Sequence, residues 1–314
     1  MLVLGCAPSI RLTSDATDPL EEFTLEGNGR TKILVIPIRG FITDQPGIGL
    51  LRTRPSMVQE VVAHLKKAAK DPAIRAVVLK INTPGGTATA SDILYNELMV
   101  YKEKSGAKVV AAMMDLATSG GYYLALGADR IMAHPTTVTG SVGVIFMRPR
   151  VTGLMDKIGV GVEVNKSGRN KDMGSPFREA TAEEAAILQG VTDGLARRFM
   201  GLVAEHRGLS GEAMAQVATA RIYLAEEAVA AGLVDRIGYL KDAVNEARKL
   251  TGLAEKESRL VVYRRSAYPD DNLYNTTTMA TPDRSPALVH LGIEGLLPTL
   301  SPGFYYLWPA MTPY

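Results

Sequence analysis

The chain has 314 residues, 46% of them hydrophobic and 22% charged, with 35 basic side chains against 33 acidic ones. Such composition excludes disordered, collagen-like and low-complexity classes, and the near balance of charge gives no support to a nucleic-acid partner, which leaves a basic excess. The single cysteine, Cys6, excludes an intramolecular disulfide framework, and no apolar run reaches the ~18–20 residues of a membrane-spanning helix.

The first thirty residues read as an anchor and linker. Val3-Leu4-Gly5-Cys6 is similar to the end of a bacterial lipoprotein signal, in which the cysteine receives lipid. Cys6 is therefore a candidate lipidation site, and the expected location is the bacterial cell membrane, facing the extracytoplasmic side. Ala7 to Arg30, rich in Ser, Thr, Asp, Glu and Pro, reads as the linker to a body spanning 31–252.

Within that body, apolar runs alternate with helical faces. Ile33–Ile38 is a buried strand, and 40–55 is a Gly- and Pro-punctuated loop. Met57–Lys70 carries a helical face through Val58, Val61, Val62, Leu65 and Ala69, stopped by Asp71-Pro72. Ile74–Ile81 is a strand, Thr83–Gly86 a loop, Ser91–Lys104 a helix and Lys108–Met114 a strand. A helix opens near Ser119, and Arg130–Met132 is a short strand. Val151–Ile158 is helical and Val160–Asn165 a further strand. Thr181 caps a long helix to His206, with Glu183 and Glu184 in its first turn. Ala225–Ala231 and Leu240–Leu250 are helices around the strand Val234–Ile237. The pattern predicts an α/β fold of repeated strand–helix units with a largely parallel sheet and a helical C-terminal part, its chemistry in loops at strand ends. Residues 253–314 form a C-terminal extension. From Ser285 to Tyr314 its only formal charge is Glu294, and five prolines interrupt it, so it cannot span a bilayer as a helix.

Two glycine-rich strand ends stand out. Ser119 precedes Gly120-Gly121 between a strand and a helix, where following N–H groups point at any oxyanion the serine generates. Taken alone Ser-Gly-Gly is a weak signal, since most such serines are helix caps. Gly85-Gly86 offers a second place where backbone N–H can face a carbonyl, and alone it reads as a turn. A serine needs a base. Of the four histidines, His64 and His206 read as surface or boundary helix residues, His290 lies in the tail, and only His134 stands where it could serve. The alternative is a lysine made neutral by burial, for which Lys171 is the candidate; on spacing alone it reads as solvated.

Four separated segments together are more specific. Asn82–Gly86 (NTPGG), Ala117–Tyr123 (ATSGGYY), Thr139–Val144 (TGSVGV) and Ser167–Asp172 (SGRNKD) resemble signal peptide peptidase A in its single-length form, as does Ala225–Asp235 (AEEAVAAGLVD). The resemblance covers roughly residues 32–252. It implies a Clp/crotonase-like core and a Ser–Lys dyad with Ser119 as nucleophile, Lys171 as general base and Ser141 orienting the lysine. Gly86 and Gly120, with Gly85 beside them, match the oxyanion and substrate-binding positions. It implies no cofactor and no metal. The implied partners are apolar peptide substrates such as cleaved signal peptides, further copies of the chain sharing active sites between subunits, and the membrane surface. Two rival readings keep other chemistry: a crotonase-type acyl-CoA enzyme, with Asp115 offered as its carboxylate, or an inactive membrane-surface scaffold.

Overall fold

The computed structural model describes residues 18–48, 53–277 and 303–309. Cys6 and His290 lie outside them. The described elements, in chain order, are β1 (Glu21–Glu26), β2 (Thr31–Arg39), β3 (Gly47–Ile48), β4 (Thr53–Arg54), α1 (Met57–Ala68), β5 (Ile74–Thr83), β6 (Gly85–Thr87), α2 (Ala88–Ser105), β7 (Lys108–Thr118), α3 (Gly120–Ala125), β8 (Arg130–Ala133), β9 (Val138–Gly140) and β10 (Ile145–Met147). They continue with α4 (Thr152–Ile158), α5 (Ala182–Arg207), α6 (Gly211–Val217), β11 (Ile222–Leu224), α7 (Ala225–Ala230), β12 (Arg236–Ile237), α8 (Leu240–Thr251), β13 (Ser258–Arg264) and β14 (Gly303–Leu307).

The central strands are apolar without alternation because both faces of the sheet are covered. In β2, Leu34 and Ile36 face one cluster with Val61 and Leu65 of α1 and Leu94 and Leu98 of α2. Ile33 and Val35 face the other, with Ala243, Val244 and Ala247 of α8. The strand order is β1-β13-β2-β5-β7-β8-β12, with β9 attached to β7 and β11 to β9. β13, β2, β5, β7, β8 and β12 pair in parallel; β1 is antiparallel at one edge. The helices start where the sequence provides caps. Ser56 and Gln59 close a capping box on α1, and Thr181 and Glu184 close one on α5.

Several expectations need correction. β1 lies within the segment read as a linker, and β13 lies beyond residue 252, yet both belong to the main sheet, so the folded body passes both expected boundaries. β1 is a half-exposed edge strand and carries little of the apolar signal that marks β2. Gly85-Gly86 is a strand, not a loop turn, because it gains neighbours on both sides: Ile42 in parallel and β14 antiparallel. β7 runs on through Thr118. Val160–Asn165 is not a strand; Val160, Val162 and Val164 are about half exposed and no strand of the described residues pairs with them. His64 is buried, not at the surface, edge-on to Tyr263 and 3.5 Å from the Glu60 carboxylate. Among the described residues no helix is long and apolar enough to cross a membrane.

Beyond β13 the chain is anchored by Arg264. Its side chain is fully buried, bonds both carboxylate oxygens of Asp271 at 2.6 and 2.8 Å, donates to the Asn275 carbonyl, and lies over the rings of Phe23 and Tyr268. Removing the carboxylate leaves the guanidinium buried with too few acceptors, so Asp271→Ala is expected to cost on the order of 3 kcal/mol of folding stability. Urea unfolding of the two proteins checks this; an unchanged midpoint would remove residues 264–275 from the cooperative body.

Candidate active site

β7 changes neighbour along its length. Val110–Met113 pair with β8, and Leu116–Thr118 pair with β9, placing Thr118 opposite Gly140. The next residues, Ser119 and Ser141, therefore leave two adjacent parallel strands at the same level. Both take φ of 52°, and Ser119 has ψ of −113°, a combination that favours glycine. Such residues cost about 1–3 kcal/mol each and persist only where surrounding bonds fix them. Here the Ser119 N–H donates to the Gly140 carbonyl (2.8 Å), Tyr123 N–H donates back to the Ser119 carbonyl (2.8 Å), and Ser141 N–H donates to the Arg221 carbonyl (2.9 Å). Strained strand-to-helix turns of this kind present serine nucleophiles in α/β-hydrolases. The Ser119 side chain is fully buried, and its Oγ has no hydrogen-bond partner among the described residues. The expected cap role is absent, since Ser119 makes no side-chain bond to the first turn of α3.

Beside Ser119 two backbones touch. A Cβ on Gly85 (φ +99°) would fall 2.8 Å from the Gly120 nitrogen and 2.1 Å from the Tyr306 carbonyl oxygen. A Cβ on Gly120 would fall 2.3 Å from the Ser91 hydroxyl. Only glycine permits this approach. Thr83 fixes the bend, its hydroxyl accepting from Gly85 N–H (3.1 Å) and donating to the Gly40 carbonyl. The structure thus brings Ser119, Ser141, Gly85, Gly86 and Gly120 to one end of the sheet.

Lys171 is elsewhere. It sits in the turn-rich segment 167–174 of an arm running from α4 to the start of α5, is exposed, and does not bond Ser119. Its turn is nevertheless ordered by its neighbour. Asp172 accepts from Lys166 Nζ (2.7 Å) and from Nε and Nη2 of Arg178 (2.8 and 2.7 Å). Arg178 also donates to Glu184, which is itself buried and closes the α5 capping box through Thr181 N–H (2.9 Å). The Arg178 hydrogen bonds hold the Asp172 carboxyl far below the usual carboxylate range and the Glu184 carboxyl at about 2. The acidic-basic spacing of Asp172, Arg178 and Glu184 is the only trace of this clamp in the sequence. The arm also exposes Leu154, Ile158, Val160, Val162, Val164 and Phe177.

None of the described histidines bonds Ser119. His134 shares a hydrogen bond with Thr136 (2.8 Å) and stands edge-on to Tyr239, and His206 bonds the Tyr95 hydroxyl (2.7 Å). Asp115 stands in β7, not in a loop, accepting from the Asn82 amide. Among the described residues no group of three His, Cys, Asp or Glu side chains could hold a metal ion.

Several known proteins share sequence with this chain. The model of peptidase family S49 matches residues 101–254. A putative protease of Synechocystis is 38% identical over 63% of this chain and 71% of its own. The chain belongs to peptidase family S49. A putative signal peptide peptidase of Enterococcus faecium is 36% identical over 73% of this chain and 66% of its own, and protease 4 of Haemophilus influenzae is 31% identical over 83% and 41%. The chain thus spans less than two thirds of the length of both these relatives. Among solved structures, a ClpP1 mutant of Listeria monocytogenes matches 67% of this chain at a TM-score of 0.43 and 16% identity.

The clamp sets a pH window. Glu184 is held below its ordinary value of about 4.3, so its contribution is present above that value and is lost as pH falls from there toward about 2. Arg178→Ala should lower the melting temperature at pH 7, and the difference from the unaltered protein should shrink as pH falls through that range. Calorimetry across pH checks this; a difference independent of pH would mean that Arg178 acts through packing alone.

Proposed function

We propose that the protein is a serine endopeptidase with a Ser–Lys dyad that cleaves extended apolar peptides, spent signal peptides among them, at the membrane surface. The observation that carries it is the buried, unpartnered Ser119 hydroxyl at a strained turn, level with Ser141 and beside the backbone of Gly85, Gly86 and Gly120. In this reading Ser119 Oγ attacks the substrate carbonyl and its proton passes to Lys171. The N–H groups of Gly86 and Gly120 receive the oxyanion, and Ser141 orients the lysine. The lysine then gives the proton to the departing amine, and water, deprotonated by the same lysine, releases the acyl-enzyme. The printed name of the Enterococcus relative supports the substrate class. Cys6 as a lipid attachment point would hold the enzyme where such peptides arise.

A lysine base must fall from about 10.4 toward about 7–8 to act near neutrality, which requires that water be excluded. Lys171 is exposed and apart from Ser119 within one chain, and the arm that carries it exposes large apolar side chains, among them Leu154, Ile158 and Phe177. Both facts support a dyad formed between subunits, one copy's arm delivering its lysine to the next copy's serine.

Ser119→Ala and Lys171→Ala should each lower peptide hydrolysis by about 10³-fold or more, and His134→Ala should leave most of it. Fluorophosphonate labelling should map to Ser119. Mixing the two inactive variants should restore some activity, since some interfaces would pair an intact serine with an intact lysine. Full activity in Lys171→Ala sinks the dyad, and mixed oligomers inactive at every ratio place it within one subunit. Activity should also rise with pH from acid to mildly alkaline conditions; a maximum near pH 5 would contradict a lysine base.

A further inference from the structure

Among the described residues, three that are not glycine take positive φ: Ser119 (52°), Ser141 (52°) and Ala220 (57°). They form one chain of contacts. Ser119 N–H donates to the Gly140 carbonyl, and Ser141 N–H donates to the carbonyl of Arg221, the residue after Ala220. The first bond continues the β7–β9 ladder, in which Thr118 faces Gly140, so the main sheet fixes it. The second reaches outside that ladder, to the turn between α6 and β11.

This turn is moulded to the Ser141 segment at both ends. A Cβ on Gly140 (φ +86°) would fall 2.6 Å from Cδ2 of Tyr223 and 2.8 Å from the Arg221 carbonyl oxygen, and one on Gly143 would fall 2.7 Å from Cβ of Ala220. Gly140 and Gly143 are thus glycine because residues 220–223 occupy the space of their side chains. Antiparallel pairing of Ile222 with Gly140 and of Tyr223 with Thr139 keeps the two segments in register. Tyr223 is buried, and its hydroxyl has no partner among the described residues, so it contributes the shape of its ring and not a hydrogen bond. The Arg221 guanidinium lies over that ring at 4.5 Å and donates to Glu227 (2.8 Å), whose other carboxylate oxygen accepts from Leu224 N–H (2.9 Å) at the start of α7. The ring is thereby seated by the Ala225–Asp235 segment, whose part in the site is otherwise unexplained.

We propose that Tyr223 is a positioning residue for Ser141: its ring, seated by Arg221 and Glu227, backs Gly140 and keeps the Arg221 carbonyl where it holds the Ser141 N–H, so that the strained turn presents the Ser141 hydroxyl to the incoming lysine. The proposal rests on the peptidase reading and deepens it. A left-handed serine stays in that conformation only while its surroundings fix it. Without the ring, Gly140 gains room, the bond to Arg221 loosens and Ser141 relaxes away from the lysine.

Tyr223→Leu removes the ring, and Tyr223→Phe keeps it. With an internally quenched Ala-Leu-Ala-Leu-Ala-Leu peptide, and active sites counted by fluorophosphonate, Tyr223→Leu should lower kcat per site about tenfold and leave KM within about twofold. Tyr223→Phe should rescue that loss. In the Ser141→Ala protein the added Tyr223→Leu should cost no more than about twofold, because the hydroxyl it positions is already gone. A crystal structure of the Tyr223→Leu protein should show the Ser141 N–H parted from the Arg221 carbonyl. Arg221→Ala, a half-exposed change that keeps the carbonyl, should give a weaker loss that also vanishes in the Ser141→Ala protein, and it carries the test if Tyr223→Leu does not fold. An unchanged kcat per site, the same loss with and without Ser141, or an unmoved Ser141 turn in the crystal overturns the assignment. Hydrolysis that survives Ser119→Ala overturns the peptidase reading instead, and the crystal comparison then decides the positioning of Ser141 by itself.

Discussion

β7 pairs with β8 over its first half and with β9 over its second, and the geometry of the site follows from that exchange. A parallel strand that kept one neighbour would carry Ser119 out of the sheet beside a helix connection. Because β9 takes over for three residues, Ser119 and Ser141 emerge side by side, each held at positive φ by a backbone bond to the adjacent segment. The strain is local, but its cause is the register of two strands well inside the core. Alterations at Thr139, whose hydroxyl bonds the Ala117 carbonyl at 2.6 Å, would therefore disturb the serines without touching them.

A second level of organisation is aromatic. Tyr123, the fourth residue of α3, is stacked with Tyr306 and tilted against Phe199 of α5, and its hydroxyl donates to Asp92 of α2. Burial first, then the Asp92 carboxylate, holds that hydroxyl well above the usual tyrosine range, so it stays a donor. Arg198 binds the same carboxylate, giving Asp92 a cation as well as a phenol. The helix that begins at the Ser119 turn is thereby tied to α2, to α5 and to the C-terminal strand through one ring.

Much of this was legible in the residues. β2, β5 and the first half of β7 are continuous β-branched and aliphatic runs, and Thr181 with Glu184 marks the start of α5, because burial and capping act on neighbours in sequence. Ser119, Ser141 and the glycines stand in four motifs, since their backbone demands leave Gly and Ser at fixed places. What escaped were elements whose reason lies far along the chain. β1 is a strand because β13 pairs with it, and Gly85-Gly86 is one because Ile42 and residues 305–307 flank it. Val160–Asn165 has the alternation of a strand but no pairing edge among the described residues. His64 on a helix looked peripheral, and only the packing of Tyr263 from β13 makes it interior.

Glu184 belongs to two structures at once, the capping box of α5 and the Arg178 clamp on the Lys171 turn. Fraying the first turn of that helix withdraws the carboxylate from the arginine, and losing the arginine leaves a buried carboxylate without its cation. Opening of the helix start and loosening of the lysine turn are thus a single event. In native-state hydrogen exchange the amides of Lys171, Met173 and Glu184 would exchange as one unit, its opening free energy set by a salt link rather than by the sheet.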